Sequence, residues 1–417
     1  MALIVIHSCT PSESSPPVVS IELPSDGLAI EAGDTLLVRA TAMDDEQIAK
    51  WTVTLTDEFF VPTGTRIKFQ PSGKNVQIEL DYPIPIDLTS GIYYLLVSAT
   101  DGESSTNAFS KLNATGVPRE RLGLVAIVES GGQYIARLRP QGAGWSTIAD
   151  LGSEFIAAGL SSATQRLVTS GTETEPMRVF DLNTNSTVYE RTCSSAPGDP
   201  CISTSATDGE AFFMGKHEGR ISSWNAAGQL ELDFPLPEFR YPRSLYFQDG
   251  HIFVEEWSTA TPNRHWSSYN AENGVPQQEI LLEGSFLAAF PVAPNQMLIA
   301  TNHQGVGKIR YYFYNENGYQ LPIPGPSGPI STIAQRSSTT YYYGQSDGIY
   351  SIDLSSTNNL LFKPVVEPDL MQYDDINNEL VCAIGNIIIG YDADSGAQLY
   401  VTPPGGNVVD VFVWYSR

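Results

Sequence analysis

The chain has 417 residues, 41% of them hydrophobic and only 17% charged, with 35 Gly, 28 Pro and 20 Tyr. Its formal net charge of −24 excludes sequence-independent nucleic-acid binding, which needs dense Lys and Arg to displace counterions, and charge-driven docking on an anionic membrane. No apolar run reaches the length of a membrane span, and the wealth of turn formers predicts an all-β protein of strands and short connections.

The chain opens with the apolar segment Met-Ala-Leu-Ile-Val-Ile and continues Ile6-His7-Ser8-Cys9. Thr10-Pro11-Ser12-Glu13-Ser14-Ser15-Pro16-Pro17 follows, a polar stretch that cannot bury a core. An apolar run ending in a small residue before Cys resembles the lipobox of bacterial lipoproteins. The resemblance implies a signal peptide over 1–8, lipidation of Cys9, a tether over 9–17 and an outer-membrane address facing the periplasm or cell surface. Two acyl chains suffice for stable anchoring, each buried methylene contributing about 0.8 kcal/mol. The competing reading is an N-terminal strand that buries Cys9.

From 18 to 115 the hydrophobic pattern has period two. Leu36, Val38, Ala40 and Ala42 share one face, Asp44-Asp45 marks a turn, and Trp51, Val53 and Leu55 resume the alternation. The segment ends on Gly91-Ile92-Tyr93-Tyr94-Leu95-Leu96-Val97-Ser98-Ala99-Thr100-Asp101. Short strands separated by Gly, Pro and Asp predict a β-sandwich. The closing Gly-x-Tyr-x-Leu-x-Val-x-Ala-x-Asp resembles bacterial immunoglobulin-like and cadherin-like modules. That resemblance implies an Ig-like fold and no particular activity. Calcium binding by Asp44, Asp45 and Asp101 is the cadherin-type option. Turn formation is the simpler role, because no Asp-x-Asp cluster completes an oxygen cage.

The remainder, from 121 to 417, carries an internal repeat. A hydrophobic residue precedes Asp or Asn and a turn at Phe180-Asp181, Trp224-Asn225, Tyr269-Asn270, Tyr314-Asn315, Ile352-Asp353 and Tyr391-Asp392. The intervals are 44, 45, 45, 38 and 39 residues, and a degenerate copy, Leu138-Arg139, lies 42 residues before Asp181. A period near 40 residues with four short strands per unit predicts a β-propeller. The first copy, 122–151, supplies only three strands, and the chain ends on the orphan strand Val408-Val409-Asp410-Val411-Phe412-Val413-Trp414. The expectation is a seven-bladed propeller with one-plus-three strand closure. The pattern resembles the superfamily of WD-repeat and quinoprotein-type propellers, in architecture only.

Cys193 and Cys201 flank Ser-Ser-Ala-Pro-Gly-Asp-Pro, a loop that brings two thiols together easily. A disulfide is expected, since a metal site would want further Cys or His close by. Cys382, within Leu-Val-Cys-Ala-Ile, reads as a small buried hydrophobe.

Propeller ligands usually meet the face formed by the loops between second and third strands and by the interblade connections. Three of the five His fall there, His217, His265 and His303, with Arg220, Arg240, Arg243, Arg264 and Lys308 and the aromatics Tyr241 and Trp257. In an acidic chain such a mouth would focus anionic ligands, although loop arginines also pair with neighbouring carboxylates. His251 falls at the opposite end of its strand. No nucleophile elbow, zinc-protease or phosphate-loop motif is present, and the adjacent pairs Glu255-Glu256 and Asp374-Asp375 should point to opposite faces of their strands. No catalytic residue, metal or cofactor is expected. The leading expectation is an envelope-anchored, non-enzymatic binding or scaffold protein that recognises a protein or glycan. The alternative is a propeller enzyme acting on a carbohydrate or other anionic substrate through His217, His265 or His303 with Arg243 or Arg264.

Overall fold

A computed structural model describes residues 15–417 except 61, 72, 87, 174, 194–199, 317, 321, 322, 324 and 357. Every regular element among the described residues is a β-strand. The chain falls into two compact units, Met1–Pro118 and Arg119–Arg417.

The first unit contains β1 (Val18–Leu23), β2 (Leu28–Glu31), β3 (Thr35–Met43), β4 (Lys50–Thr56), β5 (Ile67–Phe69), β6 (Asn75–Pro83), β7 (Gly91–Thr100) and β8 (Ser105–Thr115). They form two sheets, in the orders β1-β3-β6 and β2-β8-β7-β4-β5. The alternation in the sequence decides which side chains meet between them. Val38, Ala40 and Ala42 from one sheet share a core with Trp51, Val53, Leu55, Leu95 and Val97 from the other. Tyr82 is fully buried there, donating to the Thr65 carbonyl at 2.6 Å and accepting from the Leu55 amide at 3.0 Å. Asp44 caps a turn by accepting the amides of Glu46 and Gln47, and Asp101 does the same for Glu103 and Ser104. Both carboxylates thus have a local structural role.

In the second unit the chain lays down one sheet after another. The strands are β9 (Arg121–Ser130), β10 (Gln133–Pro140) and β11 (Ser146–Gly152), then β12 (Ala157–Ser161), β13 (Arg166–Ser170), β14 (Met177–Asp181) and β15 (Ser186–Arg191). Next come β16 (Ile202–Asp208), β17 (Ala211–Lys216), β18 (Arg220–Trp224) and β19 (Leu230–Pro235), followed by β20 (Arg240–Gln248), β21 (His251–Ser258), β22 (Arg264–Asn270) and β23 (Pro276–Leu281). A fifth group is β24 (Ser285–Ala293), β25 (Gln296–His303), β26 (Val306–Phe313) and β27 (Gly318–Tyr319), and a sixth is β28 (Ile333–Gln335), β29 (Thr340–Gln345), β30 (Gly348–Asp353) and β31 (Asn358–Lys363). The last are β32 (Leu370–Asp374), β33 (Glu379–Ile384), β34 (Ile387–Asp392), β35 (Gln398–Thr402) and β36 (Asn407–Tyr415).

Among the described residues these strands make seven four-stranded sheets, six of them from consecutive strands. The remaining sheet has the order β11-β10-β9-β36, so the end of the chain completes the sheet with which the unit began. β36 runs antiparallel to β9, from Asn407 opposite Glu129 to Tyr415 opposite Arg121. The fifth sheet has the shortest outer strand. Pro-rich sequence follows Tyr319 and cannot supply a full ladder of donors, although the Gln320 and Ile323 amides still donate to the Tyr311 and Ile309 carbonyls.

Hydrophobic packing links the sheets in order. Val168, Val179 and Phe212 join the second sheet to the third, and Ile221, Leu245 and Ile252 join the third to the fourth. Equivalent clusters connect each later pair. Leu124 and Ala126 of β9 and Val411 and Val413 of β36 pack on Val381 and Ile388 of the seventh sheet, so the series closes on itself. The middle strands of each sheet are therefore buried from both sides, while outer strands such as β15 and β31 stay largely exposed. Cys382 belongs to this packing, and burial pushes its thiol up.

Polar contacts reinforce the junction. Arg121 donates to Asp374 at 3.0 Å, to Glu379 at 2.6 Å and to the Tyr400 hydroxyl at 3.0 Å. Asp374 is fully buried and also accepts from Tyr415 and Asn377. On the other side, Trp414 donates its indole N–H to Gln165, which donates in turn to the Tyr415 carbonyl. Cys193 and Cys201 form a disulfide between the second and third sheets.

Two outcomes follow. Removing 407–417 should abolish the cooperative unfolding transition of the second unit, read by calorimetry. An unchanged melting profile would show that the β9–β36 pairing is dispensable. Arg121→Ala should cost about 3–5 kcal/mol in urea unfolding, because it leaves buried carboxylates without their cation. Arg119→Ala, which breaks a solvent-exposed pair with Asp375, should cost at most about 1 kcal/mol.

Candidate functional site: an aromatic–arginine cluster beside a central cavity

The site grows from the start of the fourth sheet. β20 and β21 pair with a register shift between Pro242 and Ser244, which leaves Arg243 outside the ladder and exposed. A bulge of this kind re-aims a side chain at a strand edge. The Arg243 guanidinium lies 5.4 Å from the centre of the Trp257 ring, and Arg264 lies over the same ring at 4.3 Å. Tyr241 is 6.4 Å from Trp257 and stacks on His217 from the third sheet at 4.3 Å. Beneath them Glu255 is buried, accepting from the Trp257 indole at 2.7 Å and from Ser244 at 3.0 Å. Burial pushes the Glu255 carboxyl up, while those bonds and the charges of Arg264 and Arg243 oppose the shift. One oxygen holds the indole and the other holds Ser244. Glu256 points the other way and accepts from Arg240 and Tyr269, as expected for adjacent residues of one strand.

The mouth residues read from the sequence separate into groups. His217, Tyr241, Arg243, Trp257 and Arg264 come together. Arg220 is paired with Asp233 at 2.5 Å, and Arg240 with Glu256 and Glu279 at 3.0 and 2.7 Å. His265 meets the same Glu279 at 2.8 Å. His303 and Lys308 surround Glu283 with Arg310, whose hydrogen bond is the main cause holding that carboxyl below its usual range. Burial first, then the charge of Arg243, lowers the pKa of His217. The three His belong to three different settings, so the positive character of the cluster rests on Arg243 and Arg264. His251 is the first residue of β21, directly after the β20–β21 turn, with its Nδ1 against the Asp249 carbonyl and its ring near Phe253 and Tyr314. Cys9 lies outside the described residues.

Arg243 also faces a cavity of about 580 Å³. Its walls are the edge strands of five sheets: Ala157 and Ala158 of β12, Ser203 and Ser205 of β16, Ser244 and Tyr246 of β20, Gln372 of β32, and Asp410 and Phe412 of β36. Asp410 is the one charged residue in the apolar strand β36, a signal that lies in the strand and not in the loops. The β36 ladder shifts register between Val408 and Asp410. Desolvation by the surrounding strands pushes the Asp410 carboxyl up to about 7, against one opposing hydrogen bond from the Val411 amide. A second cavity of about 340 Å³ lies between the first and seventh sheets, but its Arg121, Glu379 and Tyr400 are bonded to one another.

No protein-family model matches the chain, and no curated protein matches it. Solved structures similar to it include the computationally designed Ika8 protein, at 14% identity and a TM-score of 0.48 over 70% of this chain and 91% of that one. The Dos1 propeller is similar at 10% identity and a TM-score of 0.43, over 60% and 72% of the two chains. Sqt1 of Saccharomyces cerevisiae is similar at 14% identity and a TM-score of 0.45, over 70% and 88%.

The Asp410 environment sets a direction for pH dependence. Its folded pKa lies above the unfolded value, so the folded state binds more protons between about pH 4 and 7 and loses stability as pH rises through that window. Asp410→Asn removes the penalty. The melting temperature of the variant should match wild type near pH 4 and exceed it at pH 8. An offset independent of pH would contradict the assignment.

Proposed function

We propose that the chain is a non-catalytic binding protein. An immunoglobulin-like sandwich is followed by a seven-bladed β-propeller closed one-plus-three, and the propeller presents the Trp257 cluster to an acidic glycan. Support for the propeller reading comes from the closed series of sheet-to-sheet cores and from one cavity bounded by edge strands of five sheets. Support for the immunoglobulin-like reading is the two-sheet core of the first unit and the Gly-x-Tyr-x-Leu-x-Val-x-Ala-x-Asp ending. The observation that carries the function is the pair of guanidiniums held over one indole. Their orientation is set by cation–π contact, and neither is in an ion pair among the described residues. Two oriented arginines suit carboxylates or sulfates spaced along a polymer. In a chain of net charge −24 they also give an anion a defined point of approach.

The lipobox-like Ile6-His7-Ser8-Cys9 supports an envelope address, with the polar tether holding both units away from the membrane. Cys9→Ala should move the protein from the detergent-soluble membrane fraction to the soluble periplasmic fraction or the medium. Retention in the membrane fraction would overturn lipid attachment at Cys9.

Binding of polygalacturonate oligomers, followed by calorimetry, tests the surface. Arg264→Ala and Trp257→Ala should each weaken binding by about tenfold or more, and wild-type affinity should fall with added salt. Arg220→Ala, at an arginine already paired with Asp233, should leave affinity unchanged. Equal affinity of wild type and all three variants would place the functional surface elsewhere.

A further inference from the structure

We infer that the central cavity is a binding site for a short peptide with free ends, its ammonium held by Asp410 and its carboxylate by Arg243. The cavity of about 580 Å³ lies within the roughly 300–1,000 Å³ usual for small-ligand sites. It is open to solvent and bounded by backbone ladders rather than by mobile loops. Two opposite charges face it without being satisfied by the protein. Asp410 accepts one hydrogen bond, from the Val411 amide at 2.9 Å, and no cationic group reaches it among the described residues. Arg243 is exposed, with Trp257 as its contact, and has no carboxylate within ion-pair distance among the described residues.

The placement of the two charges narrows the ligand. Asp410 is on β36 and Arg243 on β20, and β12 and β16 stand between them in the lining. The two charges therefore face the cavity from separate walls. A single amino acid carries its charges two bonds apart, whereas a di- or tripeptide separates them by most of its length. The lining can meet a peptide backbone: the Ser205 and Ser244 hydroxyls, whose protons go to the Ala157 carbonyl and to Glu255, present acceptor oxygens, and Gln372 accepts the Val413 amide through its carbonyl oxygen. This leaves the Gln372 NH2 group as a donor. A metal ion is a poorer occupant, because one carboxylate does not make a cation cage. Elevation of the Asp410 pKa to about 7 agrees with a carboxyl that awaits a counter-charge.

The test uses the full chain and three peptides: Ala-Ala-Ala, its N-acetylated form and its C-terminal amide, titrated by calorimetry. The free peptide should bind, and each capped form should bind at least about tenfold more weakly. Asp410→Asn should bind the free and acetylated peptides alike, and Arg243→Gln the free and amidated peptides alike. Melting curves of both variants establish that they are folded. Equal binding of free and capped peptides, or none by any form at about 10 mM, overturns the site. Polygalacturonate binding in the same samples keeps the outcomes apart: its persistence would leave the Trp257 surface standing, and its loss would not rescue the peptide site.

Discussion

The pairing of β36 with β9 is the constraint on which the second unit depends. Each of the other six sheets is completed by strands adjacent in sequence, but the first needs a partner from the far end of the chain. Without it, β9 would present an open ladder, and Leu124 and Ala126 would lose the Val411 and Val413 side of their core. The neighbouring sheets would lose their packing next, since each core cluster is shared by two of them. Polar bonds act in the same place. Arg121 and its carboxylates tie β9 to the seventh sheet, and Gln165 ties the end of β36 to the second.

Closure also explains the site. A closed series of sheets brings edge strands distant in sequence around one cavity, so residues such as Asp410 and Arg243 share a space that no local pattern announces. The strands there are not regular. Register shifts fall at Ser203, Arg243, Leu287 and Val409, early in β16, β20, β24 and β36. A bulge adds local twist and frees a side chain from the ladder, which suits strands that must converge. Arg243 and Ser203 line the cavity from such positions.

Much of the strand layout could be read directly. The turns following Asp181, Asn225, Asp353 and Asp392 are capped by those side chains, so the residue that marks each copy is also the one that builds its turn. The orphan strand at 408–414 was visible because a three-strand first copy left a vacancy to fill. The site was less legible for two physical reasons. Charge counting along loops cannot show that Arg220 and Arg240 are already satisfied by Asp233 and Glu279, since the partners come from other strands. Period-two reasoning cannot locate bulges, because one extra residue shifts the face of everything beyond it. The opposite orientations of Glu255 and Glu256 followed from their adjacency on one strand, but the burial of Glu255 under the cluster did not, because its partners Trp257 and Ser244 are fixed by the bulged pairing of β20 and β21.

The 278-residue separation of Glu129 and Asn407 across the closing pair bears on how the protein is made. A ribosome releases β9 long before β36 exists, so the first sheet must wait as three strands while the others accumulate behind it. Contacts of such separation form late and slowly. During that interval the free edge of β9 is open to pairing with another nascent chain. Fast synthesis should therefore select for helpers that shield a strand edge, and the yield of folded protein should be set by the survival of that waiting edge rather than by the stability of the finished series of sheets.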